Sequence, residues 1–201
     1  MTWQLDERRI PSKEEVARLL KAAKERSEAA LSTGRRQPVI DYAVLSVFCF
    51  SGVRSHELCA LKIADIQFRD SLLVVQRGKG GKRRVVVIPE RLKKALKAFL
   101  EWKSKRGEST EPDAPLFCSE RGEAFCTRGI RYLFKRSLFH AGIELRYGVH
   151  SLRHHYCSSL YACSKDLRLT QSQLGHSSPV ITANVYTHVD ADSARSAVNR
   201  L

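Results

Sequence analysis

The chain has 201 residues, with 35 Lys and Arg against 21 Asp and Glu, a formal charge of +14 at pH 7 and a pI near 9.8. At 43% hydrophobic and 28% charged it reads as a globular chain of one-domain length, which excludes collagen-like and low-complexity classes. The longest apolar run, near Tyr42–Phe50, is far shorter than the ~18 residues of a bilayer span, and the acid-containing start MTWQLDERRIPSKEE lacks the apolar core of a secretory signal.

Excess positive charge favours polyanions, nucleic acid first and acidic membrane surfaces second. The charge is concentrated. Between Arg77 and Arg106 twelve cationic residues face only Glu90 and Glu101, so +10 of the +14 lies in one segment. The six cysteines form no C-x-x-C pair and read as buried, reduced thiols of a cytosolic protein.

In chain order, Ser12 and Glu15 form a capping box after Pro11, and Val16, Leu19, Leu20 and Ala23 continue at helical spacing to about Leu31. Gly34 and Pro38 are read as breaks. A helix over about 39–50, apolar on most sides, is expected at the centre of the fold and stops at Ser51-Gly52. A short helix over 55–62 leads into strands at 66–68, 72–76 and 84–88, the last two joined by Gly78-Lys79-Gly80-Gly81 as a hairpin tip. An amphipathic helix follows over 90–106, its basic run from Arg91 to Arg106 read as a solvated face. Then come a polar loop, a buried Leu116-Phe117, a helix capped by Thr127 and reaching Ala141, and helices over 152–163 and 167–174. Further helices are read from Pro179 and over 191–201. The fold class is α+β, mostly helical with one small antiparallel sheet.

Four short stretches share an order and a spacing. They are Ser51-Gly52-Val53-Arg54-Ser55-His56-Glu57-Leu58, then Gly78-Lys79-Gly80, then His150-Ser151-Leu152-Arg153-His154, and last Leu174-Gly175-His176-Ser177 with Tyr186-Thr187-His188 behind it. Each alone is common by chance. Together, with 25 residues from Arg54 to Lys79, 23 from Arg153 to His176 and 10 from His176 to Tyr186, they resemble the catalytic domain of the tyrosine recombinases, the phage-integrase family. The resemblance runs from about Pro11 to Asp190. On it the chain reads as a single catalytic domain over 1–201, with 191–201 as a C-terminal tail. The N-terminal core-binding domain that most members carry is absent from this reading, which fits a fragment and a compact recombinase equally. The stretch Tyr161–Lys165 also lacks a glycine that the family often places before its Asp-Leu-Arg helix.

The chemistry independently favours these residue types. Transfer of a DNA phosphoryl group to a hydroxyl develops charge on two non-bridging oxygens, and arginines grip such oxygens in pairs where a lysine cannot. Arg54 and Arg153 suit that role. No dense Asp/Glu cluster stands ready for two metal ions, and the resemblance implies neither metal nor other cofactor. It makes Tyr186 the nucleophile, His150 its acid/base, His176 a hydrogen-bond donor to the phosphate and Lys79 the acid for the leaving 5′-oxygen. Glu57 buttresses a neighbouring cation. Lys82, Arg83, Arg84 and His154 are read as DNA contacts.

Blander alternatives stay open at this point. Lys82 shares the basic tip with Lys79. His150 and His154, four apart, have the spacing of a zinc pair but no evident third ligand. The resemblance implies double-stranded DNA as partner, self-association into a tetramer on DNA from a free monomer, and no membrane. A type IB topoisomerase and a non-catalytic DNA-binding accessory protein are the alternative functions.

Overall fold

A long apolar helix with the rest of the chain packed round it organises the molecule, as seen in a computed structural model that describes residues 10–76 and 83–175. Helix α1 (Lys13–Thr33) begins where the sequence places it. Ser12 Oγ accepts from the Glu15 N–H at 3.1 Å, and Glu15 accepts from the Ser12 N–H at 2.8 Å. Gly34, left-handed at φ 69°, ends it. Helix α2 (Arg36–Ser51) starts earlier than expected, because Pro38 lies in its first turn. A helix leaves its first N–H groups without partners, so a proline there costs no hydrogen bond.

Helix α2 is buried on nearly every side and packs against α1 and three later helices. Its one buried acid, Asp41, accepts from Arg136 at 2.7 and 2.9 Å and from Gln37 at 2.9 Å, which binds α2 to a distant helix through a satisfied charge. After α2 come the short helix α3 (Ser55–Cys59), a 3₁₀ turn (Ile63–Asp65) and strands β1 (Ile66–Gln67), β2 (Leu72–Val75) and β3 (Arg84–Val87). The strands form an antiparallel sheet in the order β1-β2-β3, with Leu73 opposite Val86 and Val75 opposite Arg84.

Helix α4 (Glu90–Lys105) turns Leu92, Leu96 and Phe99 to the core. Its basic run is not wholly solvated. Lys103 is buried and donates to the Ser109 carbonyl at 2.7 Å. Leu116 and Phe117 are buried, held by the Leu116 N–H on the Leu61 carbonyl. Helix α5 (Thr127–His140) has Cys126, not Thr127, at its cap. Helix α6 (Val149–Ser164) begins before its expected start, so His150 lies in its first turn, and α7 (Leu167–Leu174) follows.

None of the six cysteines forms a disulfide. Cys49, Cys118 and Cys157 are buried, but Cys126 and Cys163 are exposed, which corrects the reading of all six as interior thiols. No helix of the described residues is long and apolar enough to cross a membrane. The hairpin tip and the two helices read after residue 176 lie outside the described residues.

Candidate active site

The site is built where α2, α6 and α7 end or begin beside β3. Helix α2 stops at Gly52, left-handed at φ 60° with its N–H on the Phe48 carbonyl. Only glycine fits there, since a Cβ would stand 2.4 Å from the Tyr156 ring. The turn delivers Arg54 to the N-terminus of α3, and Glu57 is one turn further on. Glu57 Oε2 accepts from the Arg54 N–H at 2.7 Å and Oε1 accepts from Arg54 Nη1 at 2.9 Å. Glu57 thus contacts both the backbone and the guanidinium of Arg54.

Arg84 lies elsewhere than expected. Assigned from sequence to the DNA surface, it turns inward from β3 with its side chain 9% exposed. Its Nη1 and Nη2 donate to the two Glu57 oxygens at 2.6 and 2.7 Å, and its Nε to the Gln173 carbonyl at 3.3 Å. Strand alternation carried the signal. Arg84 and the fully buried Val86 share a face, while Val85 and Val87 are exposed. Arg83 is exposed.

Burial alone would push the Glu57 carboxyl up. Its bonds to Arg84 and to the Arg54 N–H and guanidinium outweigh that and hold it down at about 2. Arg153, one turn after His150 on α6, is buried. Its Nη1 donates to the Gly52 carbonyl and its Nη2 to the Leu174 carbonyl at 2.7 Å, joining the C-terminal ends of α2 and α7. Burial first, then the neighbouring Arg54 and Arg84, push its guanidinium down to about 9. It stays charged at neutral pH, and both of its Nη groups rest on neutral carbonyls and not on a carboxylate.

His150 retains an open, exposed edge and packs its ring at right angles to His154, centroids 4.7 Å apart. Partial loss of water, then Arg153 and Arg54, lower its pKa. His154 goes down to about 4 through burial, His150 and Arg153. The described residues thus bring Arg54, Glu57, Arg84, His150, Arg153 and His154 together. Lys79, Lys82, His176 and Tyr186 lie outside the described residues. Lys79 falls in the segment between β2 and β3, and His176 follows Gly175, the left-handed cap of α7. Among the described residues no group of three His, Cys, Asp or Glu side chains is placed to hold a metal ion.

Three guanidinium groups around one carboxylate leave a surplus of two positive charges beside an imidazole, an arrangement that favours a bidentate oxyanion. The model of the phage integrase family matches residues 10–193, a span that takes in every motif position. The chain belongs to this family. A tyrosine recombinase XerC of Thermodesulfovibrio yellowstonii is 37% identical over 154 residues, 75% of this chain and 50% of that protein. One of Corynebacterium glutamicum is 36% identical over 86% of this chain and 54% of its own length. The chain therefore spans about half the length of these integrase-family relatives. The crystal structure of the XerA recombinase superposes with a TM-score of 0.75 at 32% identity, covering 95% of this chain and 64% of that one. The XerH recombinase, solved bound to its difH substrate after cleavage, gives 0.73 at 26% over 94% of this chain and 52% of that one.

Proposed function

We propose that the chain supplies the catalytic part of a site-specific DNA recombinase or integrase. The observation that carries this reading is the under-compensated arginine cluster Arg54–Arg84–Arg153 around Glu57, with His150 at its open edge. Family membership supports the same reading over the topoisomerase and accessory alternatives. Arg54 and Arg153 bind the two non-bridging oxygens of the scissile phosphate. Tyr186 Oη attacks phosphorus and forms a P–O bond while the P–O5′ bond breaks. The phenol proton passes to His150, Lys79 gives a proton to the 5′-oxygen, and His176 donates a hydrogen bond to the phosphate. The 3′-phosphotyrosine keeps the bond energy, so rejoining consumes no ATP.

Double-stranded DNA is the substrate in this reading. The chain is monomeric when free and associates on DNA through the segment 191–201, whose Ala194, Ala197, Val198 and Leu201 share one helical face by spacing. Sedimentation of the DNA complex with and without that segment tests the association. The activity is tested on a nicked suicide duplex followed by a denaturing gel. The wild-type chain traps a covalent adduct. Tyr186→Phe forms none and binds DNA within about threefold of wild type, since only the nucleophilic oxygen is lost. An adduct from the Phe variant assigns the nucleophile to another residue.

A further inference from the structure

Arg84 is not one of the motif arginines, yet its side chain makes more hydrogen bonds than that of either Arg54 or Arg153. From β3 its side chain crosses the face of Gly175, where a Cβ would lie 2.5 Å from Arg84 Cδ. Beyond that crossing the guanidinium meets the Glu57 carboxylate in a two-pronged pair, the strongest geometry open to these groups. Glu57 has no capacity left over. Oε1 receives Arg54 Nη1 and Arg84 Nη1, and Oε2 receives the Arg54 N–H and Arg84 Nη2. The orientation of Arg54 is thus set by a carboxylate whose own place is set by Arg84.

A second contact stiffens the same joint. The Val87 N–H donates to Gln173 Oε1 at 2.9 Å, so β3 is pinned to Gln173 of α7 both at Arg84 and three residues further on. All of the Arg84 terminal nitrogens and its Nε are occupied by protein acceptors. Its charge is already matched by the Glu57 carboxylate, whereas Arg153 meets only neutral carbonyls and keeps its charge for an anion. Arg54, its side chain 19% exposed against 9% for Arg84, keeps the more open guanidinium of those two.

We propose that Arg84 is a positioning residue for phosphoryl transfer, one that holds Glu57, and through Glu57 the guanidinium of Arg54, without itself touching DNA. The inference rests on the recombinase reading above. It separates Arg84 from its chain neighbour Arg83, although composition and position make the two look alike. Loss of the clasp leaves Arg54 present but misaligned, and misplacement of about 1 Å at a reacting centre costs about 10²-fold in rate.

The experiment uses the full 201-residue chain. Wild type, Arg84→Gln, Arg84→Lys, Glu57→Gln and the Glu57→Gln/Arg84→Gln double variant are compared. The readouts are the single-turnover rate of adduct formation at saturating DNA, DNA affinity by fluorescence anisotropy, and thermal melting. Arg84→Gln is expected to cleave about 10²-fold more slowly while binding DNA within about threefold of wild type. Arg84→Lys recovers part of the rate, since it keeps the charge and loses the second prong. In the Glu57→Gln background, removing Arg84 costs less than about threefold more, because the two act as one unit. A wild-type rate for Arg84→Gln overturns the inference while a wild-type adduct leaves the recombinase reading standing. So does an affinity loss that accounts for the rate loss, which makes Arg84 a DNA contact. So do penalties that multiply in the double variant. If Arg84→Gln does not fold, Arg84→Lys is carried through the same comparison. No adduct from wild type overturns the recombinase reading and this inference with it.

Discussion

At the residue scale, the two motif arginines are held in different ways, and that difference decides what substitution does. Arg54 is steered by a carboxylate, whereas Arg153 is buried and held by the Gly52 and Leu174 carbonyls. A lysine at 153 cannot reach both carbonyls and the phosphate, so Arg153→Lys is expected to lose about 10²-fold or more in cleavage rate and some fold stability as well. Arg54→Lys should lose a similar factor in rate with melting nearly unchanged. Equal melting losses would show that Arg153 is no more structural than Arg54. His150 gives a second expectation. In the proposed mechanism its neutral form is the one that accepts the Tyr186 proton. Loss of water and the facing Arg153 and Arg54 lower its pKa from the ordinary 6.5, so the neutral form persists into mild acid. The acid-side fall of the cleavage rate is therefore centred below pH 6.5. A pH–rate profile of single-turnover cleavage at subsaturating DNA, which reports the free protein, checks it, and a midpoint at or above that value removes His150 from the base role or the cations from its surroundings.

At the element scale, the backbone shows where sequence signals were complete and where they were not. The start and end of α1 were legible because Ser12, Glu15 and Gly34 each supply a local bond or angle. The starts of α2 and α6 were not. Pro38 was read as a stop although it satisfies the first turn, and Gly148 caps α6 with no side chain to announce it. Arg54, His150 and Arg153 were legible from motif spacing, while the Arg84–Glu57 pair spans 27 residues and exists only once β3 lies against α3. The missing glycine before α7 is accounted for as well. Lys165, exposed at the end of α6, is held left-handed at φ 54° with its N–H on the Tyr161 carbonyl. A residue with a Cβ pays about 1 kcal/mol in that conformation, partly offset by the greater freedom glycine has when unfolded. Lys165→Gly is expected to raise the melting temperature by about 1–3 °C and leave cleavage unchanged. Lys165→Ala, which keeps the strain, should not. No rise with glycine would mean that the turn is stabilised by contacts of the lysine itself.

At the scale of the whole molecule, the formal +14 overstates the charge that can meet DNA directly. Several cations are spent inside. Arg84 lies on Glu57, Arg36 on Glu108 at 2.8 Å, and Lys103 on the Ser109 carbonyl. Their charges still add to the field felt at a distance, which speeds encounter with a polyanion. Only exposed cations displace counterions from phosphates, and those set how steeply affinity falls with salt, about 0.9 in log–log slope for each phosphate neutralised. Arg83 and Arg84 make the distinction measurable because they are adjacent in sequence, identical in charge and opposite in facing. Arg83→Gln is expected to flatten the dependence of log affinity on log salt by about 0.9, the loss of one phosphate contact. Arg84→Gln removes the same formal charge and should leave the slope where it was, since its guanidinium is already neutralised by Glu57. Titrations of both variants and wild type on one duplex between low and physiological salt decide it. Equal flattening by the two would mean that Arg84 leaves Glu57 for the backbone when DNA arrives. A flat response to Arg83→Gln would place the phosphate contacts of this surface on other cations than the exposed neighbour of the site.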